Sequence, residues 1–159
     1  MDEDSIAYKA IRTVSAGELA YCKFLPASET EDFCGAQREI CIAEDSSLIL
    51  FSRLRKKGLY EDKFVRITWQ DAFKTNSRFV HSREGTHDKY QITDLGDDFP
   101  FLNDSHTGDL FIFVKNTDED YSGFCLSTEE DIEDFLGFFG MSPVNTGRII
   151  KPYSLRISH

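Results

Sequence analysis

Much that would announce a function is missing from this chain. It has no run of about 18 apolar residues, which excludes a membrane-spanning helix. Its first residues, Met1-Asp2-Glu3-Asp4, are acidic where a secretory leader carries basic residues followed by an apolar stretch. Both absences lead to the expectation of an intracellular, cytoplasmic protein. Cysteine is scarce: Cys22, Cys34, Cys41 and Cys125 show no C-x-x-C spacing, and His106 and His159 have no thiol nearby, so a structural zinc site is not expected. Cys22, Cys41 and Cys125 lie in apolar runs and read as reduced, buried thiols, whereas Cys34 lies in a polar stretch. No glycine loop can cradle a phosphate, since Gly137-Phe138-Phe139-Gly140 reads as a helix end, and there is no G-x-S-x-G elbow. Positive charge is the scarcer sign, with 18 Lys and Arg against 28 Asp and Glu and a net charge of -10. That balance opposes indiscriminate nucleic-acid binding, because phosphate contacts dominate such affinity.

What is present suffices for one domain with a core. The chain has 159 residues, 14 of them Phe, with no linker and no repeat. We expect a single domain over residues 1–159, with its core from about residue 18 to about 150. Ile6 to Val14 fits a short helix or a lead-in strand, and Ser15-Ala16-Gly17 breaks it. Glu18 to Leu25 alternates as a strand and Pro26 ends it. Ala27 to Gly35 is polar and reads as a loop. Arg38 to Ala43 is the next strand. Asp45 or Ser46 can cap a helix running through Leu54, stopped by Lys56, Lys57 and Gly58. Phe64 to Gln70 alternates most cleanly of all. Leu95 to Gly108 reads as a loop, Asp109 to Lys115 as a central strand and Tyr121 to Leu126 as its antiparallel partner. Ser127 with Glu130 forms a capping box for a helix presenting Ile132, Phe135, Leu136 and Phe139. Arg148 to Ile150 is a last strand. Many short strands with few helical crossovers imply a mainly β, mixed but mostly antiparallel, barrel-like sheet with capping helices.

One stretch, Asn76 to Asp94, concentrates cations and histidines in an acidic chain. Gly85 separates two strand-like runs, Arg78 to Ser82 and Asp88 to Thr93, so the stretch reads as a hairpin with a polar tip. Such an arm can reach into a DNA groove; the same pattern also fits an ordinary solvated hairpin. Arg53, Arg55, Lys56, Lys57, Lys63 and Arg66 form a further basic region, while acids gather from Asp94 to Asp109 and from Asp118 to Asp134. An acidic back with a basic face suits a binder that must avoid random DNA. A different reading makes Glu61-Asp62-Lys63, with Asp45 upstream, a Mg²⁺-dependent nuclease core. Its triplet falls ahead of the strand, and so short a match is common by chance. A third reading uses the acidic helix Thr128 to Phe139 as a protein-interaction surface.

Taken in order, several pieces resemble the N-terminal, effector-binding domain of EcoRII-type restriction endonucleases. They are Tyr21-Cys22-Lys23-Phe24-Leu25 with the Ser/Thr-containing loop after it, then Gly35-Ala36-Gln37. Asn76-Ser77-Arg78 follows, with Ile92-Thr93-Asp94-Leu95-Gly96, then Thr107-Gly108 and finally Ser127-Thr128-Glu129-Glu130-Asp131. The order and spacing agree over roughly residues 18 to 140. The resemblance implies a DNA-binding pseudobarrel of the plant B-three type, gripping the major groove of double-stranded DNA with two arms. It implies a first arm using Lys23, Ser28, Thr30, Gly35, Gln37 and Arg38. It implies a second arm using Asn76, Ser77, Arg78, His81, Arg83, Glu84, His87, Asp88, Lys89, Tyr90 and Gln91. It also implies a recognition module without catalysis, cofactor or membrane contact, from a bacterial restriction enzyme whose linked nuclease domain uses Mg²⁺. Two departures are that Ala36 stands where the family has glycine after histidine, and that the second arm is longer and less basic.

Overall fold

The computed structural model describes residues 4–30, 39–51 and 61–150. Ser5 caps the first helix, α1 (Ile6–Ala16), by accepting from the Tyr8 amide at 3.1 Å. Ala7, Ala10, Ile11 and Val14 recur at helical spacing and are all buried, which decides between helix and strand. Gly17 ends α1, and a Cβ there would lie 2.4 Å from Val114 Cγ1, so the chain turns too close to the sheet for a side chain. β1 (Leu19–Phe24) follows. Pro26 then starts a single helical turn, α2 (Ala27–Thr30), inside the stretch expected to be loop. β2 is short, Ile40–Ile42.

The helix expected from Asp45 to Leu54 does not form in its described part. Glu44–Ile49 is a 3₁₀ turn, with 2.9 Å bonds from the Ser46 amide to Ala43 O and from the Leu50 amide to Ser47 O. The reason is that Leu48, Ile49, Leu50 and Phe51 are contiguous and cannot share one α-helical face. The tighter turn buries Ile49, Leu50 and Phe51 and leaves only Leu48 outside. β3 (Glu61–Trp69) begins earlier than the alternation suggested, so Glu61, Asp62 and Lys63 lie within the strand rather than ahead of it. β4 (Lys74–Glu84) and β5 (His87–Thr93) form the expected hairpin. β6 (Leu110–Lys115), β7 (Asp120–Leu126), α3 (Glu129–Phe138) and β8 (Arg148–Ile150) fall where the sequence places them. The cap of α3 is Thr128, accepting from the Asp131 amide at 3.1 Å, and not Ser127. Ser127 instead donates to the buried Asp109 carboxylate at 2.6 Å.

All eight strands of the described residues join one sheet in the order β2-β5-β4-β3-β7-β6-β1-β8. Every pairing is antiparallel except β3 with β7. The sheet curls into a half-barrel around an aromatic core. In it Phe79 meets Tyr121 edge-on at 4.8 Å and Phe113 stacks on Tyr121 at 5.1 Å. The polar stretch Leu95 to Gly108 returns into this core through Leu95, Phe99, Phe101 and Leu102. A second core forms where α1 and α3 cover the outside of β1, β6, β7 and β8. Cys22 lies there, and burial pushes its thiol up to about 12, so it packs as an unreactive hydrophobe.

Gly123, on β7, shows how tightly the first core is filled. A Cβ at this position would lie 2.5 Å from Cε3 and Cζ3 of Trp69. Phe99 at 4.7 Å and Phe111 at 6.1 Å keep that ring from retreating. Gly123→Ala is therefore expected to destabilise the fold by about 1–3 kcal/mol. Urea denaturation followed by circular dichroism measures this, and an unchanged midpoint would show that the Trp69 ring is free to shift.

Candidate nucleic-acid interface

The two long helices cover only half of the barrel's outside. Along β3, β4 and β5 the period-two alternation sends Val65, Ile67, Trp69, Thr75, Ser77, Phe79, His81 and Ile92 inward, where all are buried. The intervening side chains form an outer face that no described helix covers. Asp62, Phe64, Arg66, Lys74 and Asn76 are exposed there, and Arg78, Ser82, Lys89 and Thr93 are half-buried. Phe64 is 71% exposed, unusual for a phenylalanine, and borders an open cleft of about 490 Å³ with Arg66, Asn76, Glu119 and Asp120. Arg66, Lys74, Arg78 and Lys89 give this face its positive charge in an otherwise acidic protein.

Beyond the face, the β4–β5 hairpin turns at Gly85 and Thr86. Gly85 has φ +63°, as the first position of a two-residue II′ turn requires. Near the tip, Arg83 is exposed and its Nε donates to Gly85 O at 3.3 Å. His87 is exposed, and its backbone pairs with Glu84. Under the tip, the inward side chains hold the hairpin in place. His81 stacks on Tyr90 at 4.4 Å with 12° between planes, its Nε2 lies 2.9 Å from Asp88 Oδ1, and its Nδ1 lies 3.8 Å from Glu61. The Tyr90 hydroxyl is hydrogen-bonded to Ser47, and burial raises its pKa.

These positions sort the residues named from sequence. Asn76, Arg78, Arg83, His87 and Lys89 share the outer face or the tip. Arg78 is also ion-paired with Asp62 at 3.3 Å. Ser77 and His81 point inward; Ser77 bonds to Thr75 at 2.8 Å and to Asp94 O at 3.4 Å. Gln91 lies on the outer side of β5 but is buried, its Nε2 donating to Glu39. In the first arm, Ser28 is exposed on α2, whereas Thr30 is buried and bonded to Thr107. The Lys23 ammonium donates to both carboxylate oxygens of Glu29 at 2.8 Å and to Cys41 O at 2.6 Å. Gly35, Gln37 and Arg38 lie outside the described residues. So do Arg53, Arg55, Lys56 and Lys57.

Sequence reasoning saw Phe64 only as alternation and Arg66 as alternation and part of a basic region, although that alternation already put them on one face. It named Thr107 only within the resemblance and missed Glu29 and Glu39, whose bonds to Lys23 and Gln91 leave no local pattern. The nuclease reading finds no assembled site. Glu61 faces His81, and the Lys63 ammonium lies 5.9 Å over the Tyr121 ring. Among the described residues no group of three His, Cys, Asp or Glu is placed to hold a metal ion. No described helix is long and apolar enough to cross a membrane.

A polar sheet face with cations, continued into a held, projecting hairpin, can place charges against phosphates and donors against base edges. The family model described as "Restriction endonuclease EcoRII, N-terminal" matches residues 14–147. The structure is similar to the solved "Arabidopsis FUS3-DNA complex", with TM-score 0.50 and 14% identity, covering 70% of this chain and all of that one. No curated protein matches the sequence.

Proposed function

The chain belongs to the family of EcoRII restriction endonuclease N-terminal domains, and on that premise we propose that it reads a specific sequence in double-stranded DNA through the major groove. Within the molecule, the observation that carries this reading is the outer face of β3, β4 and β5, which no described helix covers, running out into the held hairpin. The solved plant complex of similar fold was determined with DNA, which supports DNA as the partner. In this reading Arg78, Arg83 and Lys89 take guanine O6 and N7 or phosphate, and Asn76 takes adenine or phosphate. The many carboxylates repel unmatched DNA, favouring specificity over raw affinity.

The domain is a recognition and effector module of a restriction enzyme and carries no catalytic group of its own in this reading. Cleavage and its Mg²⁺ belong to a nuclease domain covalently linked in the parent protein, acting in the bacterial cytoplasm. Selection from a random duplex library at low salt tests the proposal. One enriched motif is the expected result; a pool without enrichment sinks the reading. The same preparation, incubated with plasmid and Mg²⁺, is expected to leave the DNA intact. Cleavage that disappears in Glu61→Ala would instead restore the nuclease reading.

A further inference from the structure

Lys23 sits at the seam where the described strands of the curled sheet do not close by pairing. β2 and β8 are the two ends of the strand order, and β1 lies next to β8. The β1–β8 pairing ends at Cys22, so Lys23 extends past it towards β2. All three ammonium hydrogens of Lys23 have acceptors: two from Glu29 on α2 and one from Cys41 O on β2. Its side chain is 13% exposed and that of Glu29 is 11% exposed, so the ion pair is largely withdrawn from water. Cys41 in turn pairs with Gln91 of β5, and Gln91 is held by Glu39 next to β2. A continuous line of contacts thus runs from α2, in the first arm, through Lys23 and β2 into β5, in the second arm.

We propose that Lys23 is a positioning residue that locks the two arms at a fixed separation, and that it is not a phosphate contact. This rests on the DNA-binding reading. An ammonium free to meet phosphate would need an open partner site, and this one is saturated by a buried carboxylate and a carbonyl. Arms held at one spacing bind a matched groove without first losing freedom, so the clamp acts on specific complexes more than on loose ones.

Glu29→Ala and Lys23→Gln separate the alternatives, using the duplex enriched by the selection above and an unrelated duplex of equal length. If Lys23 is the clamp, each variant weakens specific binding by about tenfold, within the ordinary range of coupling between sites. Non-specific affinity and the slope of log K against log salt stay at the wild-type values, and the double variant is no worse than either single one. If Lys23 contacts phosphate, Lys23→Gln reduces the salt slope by about one. Glu29→Ala would then free the ammonium and leave binding unchanged or tighter, which overturns the proposal. Glu29→Ala decides alone should Lys23→Gln fail to fold, as judged by its thermal transition. A wild-type chain that enriches no motif would instead remove the DNA reading itself, a result visible before any variant is made.

Discussion

Arg78→Ala with Lys89→Ala is expected to weaken sequence-specific binding by about 2–6 kcal/mol, against about 1–3 kcal/mol for either alone. Both side chains stand on the outer face that no described helix covers, on neighbouring strands. Lys89 is opposite Ser82, four residues along β4 from Arg78, a span of about 13 Å. At that distance the two losses should nearly add. The Arg78 term contains a second effect, because Asp62 loses its ion-pair partner at 3.3 Å and then faces the phosphates alone. Asp62→Asn combined with Arg78→Ala isolates it. The measurement is a fluorescence-anisotropy titration on the selected duplex at fixed salt. Wild-type affinity in both single variants would remove the second arm from recognition.

The largest effect on stability is expected at Trp69. Trp69→Ala should cost about 3–5 kcal/mol, a large share of what a domain of this size has. The ring is 2% exposed and packed against Phe99, Phe101 and Phe111. Its Nε1 donates to Thr75 Oγ1 at 3.0 Å, and Thr75 continues to Ser77. Truncation therefore opens a cavity and also leaves a buried hydroxyl pair short of a partner. One wall of that cavity is Gly123, which has no side chain to move in, so relaxation is limited and the upper part of the range applies. Trp69→Phe should lose less, since it keeps a ring but not the donor. Chemical denaturation of all three proteins gives the difference; a loss below about 1 kcal/mol in Trp69→Ala would show that neighbouring rings refill the site.

Most strands were legible because burial on one side writes a period of two into the sequence. Phe64 to Trp69 shows it directly, and Gly85 marks the turn of the hairpin. Periodicity does not say which of two faces is covered. Thr75, Ser77 and His81 are polar, yet they lie on the covered face, because their hydrogen bonds are made inside: to Trp69, to Asp94 and to Asp88. A polar residue in a binding stretch can thus be support for the surface and not the surface itself. Ser127 failed as a cap for a related reason. Asp109, eighteen residues away, takes its hydroxyl, and the helix starts one residue later at Thr128. The parallel join of β3 to β7 is likewise settled by distant partners, which a local pattern does not contain.

The parallel join divides the sheet into two groups of strands with different origins along the chain. β1, β6, β7 and β8, under the helices, come from the two outer portions of the sequence. β2, β3, β4 and β5, with both proposed arms except Lys23 on β1, come from the uninterrupted run between Pro26 and Leu95. Apart from Lys23, the residues of the two arms therefore form one contiguous segment set into a scaffold built by its flanks. An exchange between relatives with crossover points before Lys23 and after Leu95 is expected to move the reading head together with its clamp, while α1 and α3 stay as they were.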